Sequence, residues 1–131
     1  MDIQPSKELV LQWVARARDD ELSCKSILRG RDGAPNTVCF LSQQLAEKIL
    51  KSFLIFKNRE FPKIHQLDAL VKICGEVDKT FENIKEEAGF LTTFYTTARY
   101  PGDYPEFSWK NAEDAFSAAE KIKSFVLDKI D

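Results

Sequence analysis

The sequence predicts an all-α fold: an up-and-down antiparallel bundle of four long helices and one short helix, forming a single domain over residues 1–131. Five successive segments carry apolar residues at the three- and four-residue spacing of amphipathic helices. No segment alternates apolar and polar residues as a half-buried strand would. The connections are short and rich in glycine or proline, so consecutive helices are expected to be antiparallel neighbours.

The first helix is predicted over about Ser6–Arg29, where Gly30 and Gly33 end it. Its buried face is expected to contain the following apolar residues: Leu9, Trp13, Ala17, Cys24, Ile27 and Leu28. Asp20 falls within that face, where an unpaired carboxylate would be costly. We therefore expect Asp20 to pair with a cation, with a direct catalytic role as the alternative. The candidate cations are Lys48, Lys51 and Arg99.

The second helix is predicted to open at Ala34-Pro35, because proline is favoured in the first turn, and to continue to about Lys57. Its central stretch, FLSQQLAEKILKSFL, is apolar over well over half of the helix circumference. Other elements should therefore enclose this helix almost completely.

Four long polar side chains nevertheless share one narrow stripe of the second helix: Gln44, Glu47, Lys48 and Lys51. They face a ligand, a partner or a strip of solvent. On a solvated strip, Glu47 and Lys51 form an ordinary i,i+4 ion pair. In an anion site, the two lysines supply positive charge for phosphate, and Gln44 adds a hydrogen-bonding group. Both interpretations remain open at this point.

The remaining helices are predicted from their apolar spacing and their termini. A short third helix covers about His65–Cys74, and a fourth covers about Asp78–Ala98. The loop YPGDYPEF cannot continue a helix, and Ser108 caps the last one. The buried side of the fourth helix is expected to be Phe81, Ile84, Ala88, Leu91, Phe94 and Tyr95. The last helix should bury Ala112, Ala115 and Ala119, among others, which allows another helix to approach closely.

Composition excludes several classes of function. The chain has 131 residues and a net charge of −2, so it lacks the overall positive field of a non-specific nucleic-acid binder. Its three cysteines lie in apolar runs without metal-ligand spacing and are expected to be reduced core residues. We expect no metal or cofactor, no membrane span, and a cytoplasmic location. The single histidine, His65, has no nucleophile motif beside it, so a structural role is expected.

Arg99 and the loop after it form another candidate site. A cation at the end of the fourth helix favours the helix dipole, and that is one interpretation of Arg99. The other is a phosphate site, because Tyr100 and Tyr104 follow in a loop stiffened by proline. An arginine fork binds phosphate, and tyrosine rings offer faces for a base.

Taken together and in order, four stretches closely resemble the HEPN (higher eukaryotes and prokaryotes nucleotide-binding) domain family: ARDDELSCKSIL, CFLSQQLAEKILKSFL, FPKIHQL and TARYPGDY. The resemblance covers the chain from Trp13 to about Val126. It implies a small helical bundle, in agreement with the pattern of apolar residues.

The resemblance implies one of two kinds of activity. Ribonuclease members carry an arginine followed within a few residues by a histidine, and two such sites meet in a homodimer. Here Arg99 takes the arginine position, but no histidine follows, and Tyr104 is a poor base with an ordinary pKa of about 10. Other members accompany a minimal nucleotidyltransferase in toxin–antitoxin or defence modules.

The resemblance therefore implies a homodimeric, non-catalytic subunit that binds nucleotide or a nucleotidyltransferase partner. Phosphate ligands would be Arg99, Lys48 and Lys51, with Tyr100 or Tyr104 against a base. Asp20 and Glu47 would hold the cations in place. The alternative is a metal-independent ribonuclease with an atypical site on Arg99, using Tyr104 or His65 and RNA as ligand. A helical adaptor with its polar stripe at a dimer interface is a third possibility.

Overall fold

The structure, a computed structural model, describes residues 7–97 and 106–130. In these residues all regular secondary structure is helical, and the predicted all-α antiparallel bundle is confirmed. The helices are α1 (Lys7–Gly30), α2 (Pro35–Phe56), α3 (Leu67–Val77), a 3-10 helix (Lys79–Ile84), α4 (Lys85–Thr97) and α5 (Trp109–Leu127). None of them is long and apolar enough to cross a membrane.

Helix α2 is the centre of the bundle. It packs against α1, α3, α4 and α5, so neighbours cover most of its circumference. Its fully buried apolar residues include Leu45, Ile49, Leu50, Phe53 and Leu54. The prediction that other elements enclose this helix is therefore confirmed.

The N-terminus of α3 is stabilised from outside its own sequence. The hydroxyl of Thr92 on α4 accepts hydrogen bonds from the backbone N–H groups of Leu67 (3.0 Å) and Asp68 (3.3 Å). These are donors that the first turn of a helix leaves without an intrahelical partner. Helix α3 consequently begins at Leu67, two residues after the predicted start at about His65.

The predicted fourth helix is divided in two. Asp78 accepts hydrogen bonds from the backbone N–H (2.9 Å) and hydroxyl (2.6 Å) of Thr80, and a 3-10 turn follows before α4 begins. Its predicted buried residues are nevertheless buried: Phe81, Ile84, Ala88, Leu91 and Phe94. The side chain of Tyr95 lies outside the described residues.

The buried face of α1 differs from the prediction. It consists of residues at alternating four- and three-residue spacing, namely Val10, Val14, Ala17, Glu21 and Cys24. Ala17 and Cys24 were predicted, but Leu9 is exposed and Trp13 is only half-buried. Because the face that contacts the other helices is rotated by about one position, Glu21 rather than Asp20 lies within it.

Glu21 forms an ion pair across the bundle. Its carboxylate lies 2.5 Å from Nζ of Lys123 on α5 and 4.0 Å from Nζ of Lys25, and Lys123 is also 3.9 Å from Glu120. Burial, the hydrogen bond with Glu21 and the charge of Glu21 raise the pKa of Glu120 to about 7. Burial also acts to raise the pKa of Glu21, but hydrogen bonds with Glu120 and Lys123 outweigh it and the pKa is lowered.

The free energy of unfolding should therefore fall as pH rises through about 7. The raised pKa of Glu120 stabilises the fold fully below the ordinary carboxyl pKa, and this contribution is lost as the proton leaves. We expect a loss of about 1–2 kcal/mol between about pH 5 and about pH 8, allowing for partial solvent screening. Urea unfolding at both pH values measures it. Glu120→Gln, which cannot ionise, should remove this part of the pH dependence; an unchanged pH dependence would contradict the assignment.

The last helix begins as predicted. The Ser108 hydroxyl accepts from the backbone N–H of Asn111 (3.0 Å), and the Asn111 side chain accepts from the backbone N–H of Ser108 (2.9 Å). This reciprocal pair is a capping box. The three predicted alanines, Ala112, Ala115 and Ala119, are fully buried.

The three cysteines are free and buried, as predicted. Burial raises the pKa of Cys24 to about 11 and the pKa values of Cys39 and Cys74 to about 12. Their sulfurs therefore stay protonated near neutral pH, which suits a packing role rather than a nucleophilic one.

Candidate functional site

The polar stripe of α2 divides into a buried row and a half-buried edge. Glu47 and Lys51 are only 6% and 7% exposed, so the solvated-strip interpretation is wrong for both. Gln43, which is fully buried, extends this row because it lies one helical turn before Glu47. Gln44 and Lys48 lie at the edge of the row and are half-buried.

Glu47 is the hub of a hydrogen-bonded network. Its carboxylate accepts from Nζ of Lys51 (2.9 Å) and Nε2 of Gln43 (3.3 Å), and each of its oxygens lies 3.2 Å from Nδ1 of His65. Gln43 also donates to the backbone carbonyl of His65 (2.8 Å) and accepts from Gln44 (2.7 Å). The network therefore ties α2 to the segment before α3, as a structural role for His65 requires.

The Lys51 ammonium lies near two aromatic rings as well as beside Glu47. Its Nζ is 6.0 Å from the ring centre of Trp13 on α1 and 5.9 Å from that of Phe61. Both distances are at the limit for a cation–π contact. The charge of Lys51 is thus balanced by Glu47 inside the protein, and its ammonium lies over the Trp13 ring.

Asp20 pairs with Lys48, which confirms the ion pair expected for it. Its carboxylate accepts a hydrogen bond from Nζ of Lys48 at 2.6 Å, and both side chains retain partial exposure. The pair links α1 to α2 and holds the Lys48 ammonium near the surface, where it borders a cleft.

That cleft has a volume of about 320 Å³ and is lined by Leu9, Gln12, Trp13, Arg16 and Lys48. It combines an aromatic ring, an amide and two cations. Within residues 7–97 and 106–130, no carboxylate lies at ion-pair distance from Arg16. We call this feature the α1–α2 cleft.

Most residues of the α1–α2 cleft were missed from the sequence. Leu9 and Trp13 were placed in the buried face, and Gln12 and Arg16 were not considered. The signal was available, because Leu9, Gln12, Trp13 and Arg16 share one helical face at three- and four-residue spacing. What obscured it was the assumption that the large apolar side chains of α1 all face the core.

The part of the predicted site that follows α4 lies outside the described residues. Arg99, Tyr100 and Tyr104 lie outside the described residues, as does most of the YPGDYPEF loop. Among the described residues, no group of three metal-binding side chains lies together. The site that can be described thus consists of the Glu47 network, the Asp20–Lys48 pair and the α1–α2 cleft.

Comparison with known proteins identifies a family and a solved structure to which this chain is similar. A family model described as HEPN domain matches residues 10–130. Among solved structures, the chain is similar to the crystal structure of an archaeal HEPN homologue, with a TM-score of 0.75 and 28% sequence identity. The similarity covers 93% of this chain and 98% of that one. No curated protein matches the sequence.

Proposed function

This chain belongs to the HEPN domain family, and from that premise we propose that it is a non-catalytic protein that binds nucleotides in the α1–α2 cleft. The observation that carries the proposal is the lining of this cleft, in which Trp13, Arg16 and Lys48 meet. An aromatic face beside two cations suits a ligand that has both a flat ring and a negative charge.

Four of the five lining residues have a distinct part in the proposal. The Trp13 ring stacks on a base, and Gln12 can both donate to and accept from a base edge. The planar guanidinium of Arg16 suits phosphate oxygens, and Lys48 adds a point charge. Asp20 fixes the position of Lys48 through their 2.6 Å ion pair.

The Glu47 network adjoins the α1–α2 cleft through Lys51, which lies near Trp13. Lys51 is paired with Glu47, and its Nζ lies 6.0 Å from the centre of the Trp13 ring that the base would meet. Direct contact between Lys51 and phosphate would require the Glu47 ion pair to open. The roles of Lys51 and Gln44 as phosphate ligands stay predictions, as do those of Arg99, Tyr100 and Tyr104.

The non-catalytic role is supported by the sequence after Arg99, where no histidine follows. The only histidine of the chain, His65, is bonded to Glu47 before α3. The ribonuclease alternative predicts that the purified protein cleaves RNA and that Arg99→Ala abolishes cleavage. We expect no cleavage by either protein.

The homodimer and the nucleotidyltransferase partner are also proposals. Two leucines on the outer side of α1 are available to a second subunit or a partner, since Leu11 is 60% and Leu22 is 64% exposed. A subunit or partner interface over them would remove these apolar side chains from water. The mass of the particle in solution, measured by light scattering, tests the dimer.

Nucleotide binding is tested by a thermal-shift panel of nucleotides. A bound nucleotide at a hundred times its dissociation constant should stabilise the fold by about 2.7 kcal/mol. Arg16→Ala should weaken binding by about 10- to 100-fold, because it removes a charge-assisted contact to phosphate. Arg18→Ala is the matched control, since Arg18 is exposed on the same helix but does not line the cleft. The absence of a shift with every nucleotide would refute the proposal.

A further inference from the structure

We infer that the ligand of the α1–α2 cleft is a nucleoside monophosphate unit, one base with one phosphate group, rather than a nucleoside triphosphate. The inference rests on the proposed function and specifies the ligand class of the same site. Both a free mononucleotide and one nucleotide of a single strand have this chemistry.

The size of the cleft favours a small ligand. Its volume of about 320 Å³ is near the lower end of the range of roughly 300–1,000 Å³ that is usual for small-molecule sites. Five residues line it, and only Trp13 offers an aromatic face. One stacked base therefore occupies the available ring.

The charge of the cleft favours one phosphate. Arg16 and Lys48 contribute two positive charges and Asp20 removes one, while Lys51 is neutralised by Glu47. The net single positive charge equals that of one phosphodiester group in size, and it balances about half or more of the charge of a monoester, about −1.5 to −2. A triphosphate carries more negative charge than these cations can balance.

The carboxylates near the cleft are already engaged. A triphosphate is commonly bound together with Mg²⁺, which one or two carboxylates help to hold. Here Asp20 bonds Lys48 at 2.6 Å and Glu47 bonds Lys51 at 2.9 Å, so binding a metal would break an ion pair. The arrangement therefore offers cations to a phosphate and few oxygens to a metal.

The spacing on α1 matches the order of groups in a nucleotide. Trp13 and Arg16 lie three residues apart on one face of the helix, where Cβ atoms are about 5–6 Å apart. A base stacked on Trp13 consequently brings its own phosphate beside Arg16 and Lys48. Gln12 and Leu9 border the same cleft and complete its wall around the base.

The test is a fluorescence titration of the full chain with a mononucleotide, the corresponding triphosphate with Mg²⁺, and a short single-stranded oligonucleotide. The chain has two tryptophans, so Trp109→Phe isolates the signal of Trp13. Ligand binding should quench that signal. We expect the triphosphate to bind no more tightly than the mononucleotide.

Variants of Trp13 test the stacking step, and their ligand binding is measured by thermal shift because they lack the Trp13 fluorescence. Trp13→Ala should weaken mononucleotide binding by about 5- to 150-fold, which corresponds to about 1–3 kcal/mol for one stacked base. Trp13→Phe should restore most of the affinity and also controls for loss of the fold.

The oligonucleotide distinguishes the two sources of the ligand. If it binds more tightly than the mononucleotide, the ligand is one nucleotide of a strand, and equal affinity identifies a free nucleotide. Both results agree with the inference.

Three results would be decisive against it. Triphosphate binding that is tenfold tighter than monophosphate binding overturns the inference but leaves nucleotide binding intact. Full affinity of a folded Trp13→Ala protein for the mononucleotide would also overturn the inference, because the base would then not be stacked on Trp13. Failure of every ligand to bind overturns the proposed function itself.

Discussion

Replacing Glu47 with alanine is expected to lower the free energy of unfolding by about 3–5 kcal/mol. Glu47 is 6% exposed and accepts a hydrogen bond from Nζ of Lys51, a residue that is itself 7% exposed. The substitution leaves that ammonium buried without its counter-ion and also removes acceptors from Gln43 and His65. Urea unfolding of the variant and of the unmodified chain measures the difference.

The matched control removes both charges of this pair. Glu47→Leu combined with Lys51→Met fills the same space with apolar side chains, and such replacement of a buried ion pair is often neutral or stabilising. We therefore expect the double variant to recover most of the stability. If it is no more stable than Glu47→Ala, the loss comes from packing or from the contacts to Gln43 and His65, and the uncompensated charge is not its cause.

Replacing Phe81 with alanine is expected to cost about 3–5 kcal/mol, the range for a large aromatic residue deleted from a core. Phe81 lies on the 3-10 helix and is fully buried. Its ring centre is 4.5 Å from that of Phe53 on α2 and 5.1 Å from that of Phe125 on α5. The substitution therefore opens a cavity where three elements meet.

Phe90→Ala is the matched control, because it is the same chemical change at a position that is 39% exposed. Phe90 contacts Phe94, with ring centres 5.1 Å apart, so we expect a loss of about 1 kcal/mol. Chemical denaturation of both variants gives the comparison. Equal losses would mean that the 3-10 helix does not anchor the core.

Helix starts were predicted correctly where the residues that stabilise them lie close to each other in the sequence. Ser108 and Asn111 form a capping box within one turn, with Ser108 directly before the helix and Asn111 in its first turn. Pro35 stands in the first turn of α2, as its restricted backbone favours. By contrast, the start of α3 depends on Thr92, which lies in another helix, and no local pattern could reveal it.

The candidate site shows the same division. The sequence showed that polar residues accumulate on α2 and that Asp20 needs a cation. It could not show that Gln43 belongs to the buried row, or that Glu47 binds Lys51 and His65 together. Those contacts depend on how the segment before α3 packs against α2.

By itself the sequence determined the helical class of this protein, the approximate helices and the apolar character of α2, because periodicity and turn residues act over a few positions. Only the tertiary structure decided which side of α1 faces the bundle. A rotation of about one residue put Glu21 in the core against Lys123, and left Trp13 and Arg16 beside Lys48 in the cleft. Large apolar residues stand on both sides of α1, Leu9 and Trp13 on one and Val10 and Val14 on the other, so packing against α2 and α5 decides which side is buried.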